Sequence, residues 1–217
     1  MNFIAWMTRR AVRAFTRETF MKNTKLTLLA FAFVPAIVAF TVGGTSAKLQ
    51  PGSRLWVAGT STVKDFTCQA RIVDAAIGTT SADAPREVIS GTKAVTLLTV
   101  KVRAQNLDCA NSTMNEHMLK ALKSDAFPVI EFKMLSYDIA KGSTTTNGRL
   151  TGTLTLGGVS KQITFDAAGT ASKTGALRVV GTYPILMSDY GLKAPSLMMG
   201  TMKVNPKVKV NFDLLVK

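Results

Sequence analysis

Residues 148–169, GRLTGTLTLGGVSKQITFDAAG, constrain the fold more than any other stretch. Leu150, Gly152, Leu154 and Leu156 alternate with threonines, and after Gly157-Gly158 the alternation resumes as Ile163, Phe165 and Ala167. Period two is the signature of a strand with one apolar and one wet face, and the glycine pair supplies a turn. The same alternation returns at 54–63, at 66–73 with Phe66, Cys68, Ala70 and Ile72 inward, and at 98–104 with Leu98, Val100, Val102 and Ala104 inward. It recurs at 175–187 with Leu177, Val179, Tyr183, Ile185 and Met187, and at 207–217 with Val208, Val210, Phe212, Leu214 and Val216.

Segment 129–140 shifts phase partway, from Ile130, Phe132 and Met134 to Leu135, Tyr137 and Ile139. Such a slip predicts a bulge. Residues 78–87 read as loop. One segment, 112–128, changes to helical spacing through Met114, Met118 and Leu122. Thr113 and Glu116 give it a capping-box pattern, and Pro128 stops it. The chain is therefore all-β: about eight antiparallel strands with one short helix. Each strand covers something on one side only. A closed barrel fits, with its middle filled by side chains or holding one small ligand, and so does a two-sheet sandwich.

The N-terminal quarter is different. Lys22 and Lys25 precede an apolar run, 26–40, of about 15 residues, and small residues 41–47 follow. That order is an export signal with a cleavage point after Ala47, too short for an ordinary membrane span. An uncleaved anchor is the alternative. Residues 1–20 are basic, and Met21 opens a complete signal by itself, so Met21 is the expected start. Arg9-Arg10 lies too far upstream of the apolar run, with Glu18 between, for a twin-arginine signal. Residues 1–47 thus form the signal region and 48–217 one domain. Export places the protein in the periplasm or outside the cell.

The chain carries 27 Lys and Arg against 13 Asp and Glu, net +14. Removing 1–47 takes six of the former and Glu18, leaving 21 and 12, net +9. The remaining charge is scattered over outer strand faces, at Lys101, Arg103, Lys207 and Lys209, without the aromatic interleaving of a nucleic-acid platform. Peripheral attraction to an anionic membrane surface is the more natural consequence. Nothing fixes an oligomeric state.

Cys68 and Cys109 are an even pair in an exported chain. They predict a disulfide, the alternative being two buried thiols. With His117 as the sole histidine, they are too few for a zinc site. The sequence has no Gly-x-Ser-x-Gly elbow and no phosphate-cradling glycine loop, so no catalytic residue and no enzymatic activity is expected. His117 packs on its helix face, contacts a ligand headgroup or acts as a base. Met187, Met198, Met199 and Met202 gather in a Gly- and Pro-containing stretch, 187–203. Methionine suits either core filling or a surface that adapts to a variable apolar ligand.

The order of pieces resembles the YceI-like family of exported polyisoprenoid-binding proteins. The matching stretches are the strand around Trp56, NEHMLKAL leading into FPVIEFKM, the GRLTGTLTLGGVSKQITFDA hairpin, and DYGLKAP followed by VKVNFDLLV. Together they span residues 54–217. The chain departs from the family pattern in its short connection before Pro128 and in its cysteine pair. The resemblance implies a lipocalin-like antiparallel barrel without catalytic activity or a cofactor, whose lumen binds an isoprenoid lipid such as a quinone or polyprenyl chain. On that basis Phe132, Leu154, Phe165, Tyr183 and Met187 are expected to line the lumen. Met114, His117 and Met118 on the helix, with Leu197, Met198 and Met202 on the loop, are expected to form its rim. The competing reading is a filled-core barrel acting as a stress-response or protein-interaction accessory with no lipid.

Overall fold

The computed structural model describes residues 44–197 and 201–217. The expected signal, as far as residue 43, lies outside the described residues, as do Met21 and Met198.

The chain runs β1 (Thr45–Ala47), β2 (Arg54–Thr60), β3 (Asp65–Ala70), β4 (Asp74–Thr79), α1 (Ala84–Ile89), β5 (Val95–Arg103) and β6 (Leu107–Asp108). Then come α2 (Ser112–Ala121), β7 (Val129–Ile139), β8 (Thr145–Leu156), β9 (Val159–Ala171) and β10 (Leu177–Leu186). A short β11 (Ser196–Leu197) and β12 (Met202–Lys203) form a hairpin before β13 (Lys207–Val216). Eleven strands make one antiparallel sheet in the order β1-β4-β5-β7-β8-β9-β10-β13-β2-β3-β6. A single curled sheet replaces the sandwich alternative.

The glycine turn is a two-residue hairpin in which Leu156 pairs with Val159. Gly157 and Gly158 have φ of 57° and 82°, the left-handed region that such a turn requires. The phase slip in β7 is a bulge between Met134 and Ser136. The extra residue is Leu135, which is 60% exposed and so belongs outside, not on the inward face expected for it. Ile72 also departs from its inward parity. β3 ends at Ala70, and Ile72 lies 55% exposed in the connection beyond it.

Two further expectations change. Of residues 78–87, read as loop, Gly78 and Thr79 end β4 and 84–87 belong to α1, with Pro in its first turn. Its Ala84, Val88 and Ile89 are buried against Ala94 and Leu177 at one end of the sheet. Helix α2 starts two residues earlier than the capping box implies. Asn111 is the cap, its side-chain oxygen accepting from Met114 N at 2.9 Å, and Thr113 lies inside the helix. The last turn of α2 reaches the other end of the sheet, where Ala121 and Leu122 pack on Leu154, Leu156, Ile185 and Met187.

Closure is made by a strap. β1 pairs with Ile77–Thr79 of β4, and the chain then crosses to the far side of the curl. There Leu49 bridges Val216, and Lys48 and Lys217 exchange backbone hydrogen bonds at 2.6 and 3.0 Å. Ala47, expected as the last residue of the signal, is the buried end of β1. Farther along the gap the ladder stays open, and side chains of Ala70, Val102 and Leu107 meet across it.

Outer faces carry the charge. Glu131 lies between Lys101 and Lys133 at 3.1 and 3.0 Å. Asp213, buried on β13, takes both Arg178 and Arg54, at 2.7 and 3.2 Å.

Candidate functional site: the barrel lumen

The inward faces do not meet. They enclose a cavity of about 980 Å³ whose walls are almost wholly aliphatic and aromatic. That size is at the upper end for small-molecule sites, and its apolar lining matches their usual chemistry. The middle of the barrel is open, not filled. Every strand long enough to cross the barrel contributes, because period two delivers the odd or even residues of each to the same side.

Phe132, Leu154, Phe165, Tyr183 and Met187 all line this cavity, as their parity predicts. Phe165 is the hub of an aromatic cluster, with ring centroids 5.5 Å from Phe132, 5.7 Å from Phe212 and 6.0 Å from Tyr183. The tilted and edge-on arrangements are those aromatic quadrupoles favour. Met114, His117 and Met118 reach the cavity from α2. Leu197 and Met202 pair backbone to backbone in the β11–β12 hairpin, and Met198 lies outside the described residues.

Most polar lining side chains gather at one place. Lys64, Asp65 and Thr67 come from the start of β3, and Asn111, Thr113 and His117 from the start of α2. β6 covers β3 only at Gln69 and Ala70, so the first half of β3 is a free edge facing α2. This is the mouth. The Cys68–Cys109 disulfide ties its two sides together, as expected from the cysteine count. Met118 packs on the bridge, its sulfur 3.6 Å from the Cys109 sulfur. Polar contacts brace the same corner. Arg71 donates to Asp108 at 2.6 Å, Asn115 donates to Asp108 at 2.9 Å, and Cys109 N donates to Asn115 at 2.8 Å. The Asn115 and Arg71 hydrogen bonds hold the Asp108 carboxyl down at about 2.

A second polar feature is buried among the core residues Leu154, Leu156, Ile163 and Met187. Tyr190 follows Met187 in a short 3-10 turn and is 2% exposed, and its hydroxyl has no hydrogen-bond partner among the described residues. Burial, then the neighbouring Tyr183 and Asp189, push its phenol up to about 12. Burial likewise raises Tyr183, with Asp189 adding to it. Both rings therefore stay neutral under ordinary conditions. Among the described residues no group of three or more His, Cys, Asp and Glu could hold a metal ion.

The family model described as YceI-like domain matches residues 40–216. The chain belongs to the YceI-like family. Solved structures share the fold. BcnA of Burkholderia cenocepacia is 18% identical with a TM-score of 0.55, covering 75% of this chain and 96% of its own. A polyisoprenoid binding domain of Saccharophagus degradans, implicated in plant cell wall breakdown, is 13% identical with a TM-score of 0.55, covering 79% and 97%. The YCEI protein of Campylobacter jejuni is 18% identical with a TM-score of 0.51, covering 90% and 97%. No curated protein sequence matches the chain.

Against this YceI-like frame, the sequence reading missed the contribution of the first strands. Leu55 and Val57 of β2 and Ala75 and Ile77 of β4 line the lumen beside the predicted set. The signal for β2 was present as alternation around Trp56. β4, Asp-Ala-Ala-Ile-Gly-Thr, has too many small residues to show an apolar face.

Proposed function

We propose that this YceI-like protein is a non-catalytic carrier that holds an isoprenoid lipid, such as a quinone or polyprenyl chain, in its lumen outside the cytoplasm. The observation that carries the reading is the continuous apolar cavity of about 980 Å³ with most of its polar side chains gathered at one mouth. That arrangement suits a ligand with a long greasy tail and one polar end. Each methylene taken from water contributes about 0.8 kcal/mol, offset by ordering a flexible tail. The printed description of the Saccharophagus relative as polyisoprenoid binding supports the same ligand class. The charge and apolar order of residues 22–47 supports export.

Protein purified from the envelope of its native host, extracted and read by mass spectrometry, is expected to release an isoprenoid in stoichiometric amount. Repeated absence of lipid from native and heterologous hosts would overturn the carrier. N-terminal sequencing of the same sample tests export. A start near Lys48 supports it, and retention of residues 26–40 makes the protein membrane-anchored.

A further inference from the structure

Three phenylalanines that line the lumen share one unusual feature: each lies across a glycine of the neighbouring strand. Phe66 of β3 is directly opposite Gly59 of β2, and Phe212 of β13 is directly opposite Gly181 of β10. Phe132 of β7 reaches diagonally over Gly152 of β8, whose own register partner is Met134. All three glycines have lumen-facing parity. A β-carbon on Gly59 would coincide with the Phe66 ring, with Cε1 at 2.8 Å as the second-nearest atom. On Gly181 it would coincide with the Phe212 ring, with Cε1 at 3.0 Å. On Gly152 it would meet the Phe132 ring, with Cε2 at 2.5 Å, and the Lys133 carbonyl oxygen at 2.5 Å.

The ring tips therefore occupy the space a side chain would fill, so each ring reaches along the wall to the neighbouring strand. A strand glycine often marks the place where something must approach the backbone closely. Here that something is the ring, and the gain is bore. A phenylalanine projecting straight inward fills the middle of a small barrel, whereas one laid along the wall keeps the middle free. Gly59 sits next to the end of β2 near the mouth, and Gly152 and Gly181 lie within the middle parts of their strands.

We propose that Gly59, Gly152 and Gly181 are specificity-determining positions, which by seating three phenyl rings on the wall give the lumen the bore that a methyl-branched polyprenyl chain needs. The inference rests on the carrier reading above. A straight alkyl chain is thinner than a chain with regularly spaced methyl branches. Lifting one ring off the wall by a single methyl therefore hurts the branched chain more. In a hydrophobic site one methyl changes affinity by roughly 10–200-fold.

The test compares farnesol with dodecanol, a straight-chain alcohol of matching backbone length, by displacement of a fluorescent probe from delipidated full-length protein. Gly181→Ala is expected to weaken farnesol by about tenfold or more while dodecanol changes by less than about threefold. The double variant Gly181→Ala/Phe212→Leu, with the displaced ring removed, is expected to recover farnesol. Should Gly181→Ala fail to fold, Gly59→Ala makes the same comparison, because the three atoms its methyl meets all belong to the Phe66 ring. Gly152 is left unchanged, since its methyl would also strike backbone. Equal losses for both alcohols, unchanged farnesol binding in a folded variant, or no recovery in the double variant overturns the proposal. Wild-type protein that takes up neither alcohol overturns the carrier reading and this proposal with it. Wild-type uptake with unaffected variants overturns this proposal alone.

Discussion

Replacing both cysteines by alanine removes a crosslink whose value follows from the fold. The bridge joins residues 41 apart, and the closed loop contains β4, α1 and β5, one flank of the barrel. In the chain-entropy account, closing a loop of that length in the unfolded chain destabilises it by about 4 kcal/mol. The folded geometry has other restraints. The contacts of Asp108 with Arg71 and Asn115, and the β3–β6 pairing at Gln69 and Ala70, hold the same corner without the sulfurs. The loss in Cys68→Ala/Cys109→Ala should therefore come from the unfolded state and approach the full 4 kcal/mol. In a domain of this size that lowers Tm by roughly 10 °C. Equilibrium urea unfolding of the oxidised wild type and the double variant measures it directly. The urea slope should rise in the variant, because the uncrosslinked unfolded chain exposes more surface. A loss below about 1 kcal/mol with an unchanged slope would refute the reasoning, as would two reactive thiols in unfolded, unreduced wild type.

Three smaller changes have defined outcomes. Asn111→Ala removes the side-chain cap of α2 and should cost about 1 kcal/mol in urea melts, with the far-UV signal of the sheet unchanged. Asp213 is held down at about 2, chiefly by its Arg178 hydrogen bonds and also by Arg54. Its ionised form is thus favoured by folding, with full stabilisation above the ordinary 3.8 and loss as pH falls towards 2. Asp213→Asn should flatten that acid limb. Tyr190 has the opposite sign. The unfolded phenol ionises near 10.0 and the folded one near 12, so the folded chain holds the extra proton and stability falls as pH rises between them. Tyr190→Phe should remove this alkaline limb and, by deleting a buried hydroxyl with no partner among the described residues, raise stability by about 1 kcal/mol.

Which elements could be read from the sequence follows from how local their causes are. The β8–β9 hairpin was legible because alternation and a Gly-Gly turn act within a few residues. The β7 bulge was legible for the same reason, since an inserted residue must flip the parity. Which residue is extruded is decided by β8, so the assignment of Leu135 had to wait for the pairing. α1 was hidden because six residues beginning Ala-Pro-Arg have the composition of a turn. It becomes a helix by burying Val88 and Ile89 against Leu177, nearly ninety residues away in sequence. The cap at Asn111 and the capping-box pattern at Thr113 compete two residues apart. The winner is the residue whose extended backbone leads out of β6 and the disulfide.

The lumen lies at the far end of that scale. Parity places Leu154 and Phe165 inward whether the barrel is filled or open, because it says which way a side chain points and nothing of what it meets. What keeps this barrel open is how the inward side chains lie against neighbouring strands. Phe212 rests on Gly181 and Phe66 on Gly59 because register sets each ring opposite a residue with no side chain. A one-residue slip in either ladder would turn those rings to the outer face and put their neighbours inward. The Leu49–Val216 bridge, which a chain starting near Lys48 keeps, and the disulfide at the mouth hold the chain beside those ladders. Closure and bore are thus coupled. The devices that fix the edges of the sheet also preserve the register on which the free space inside depends.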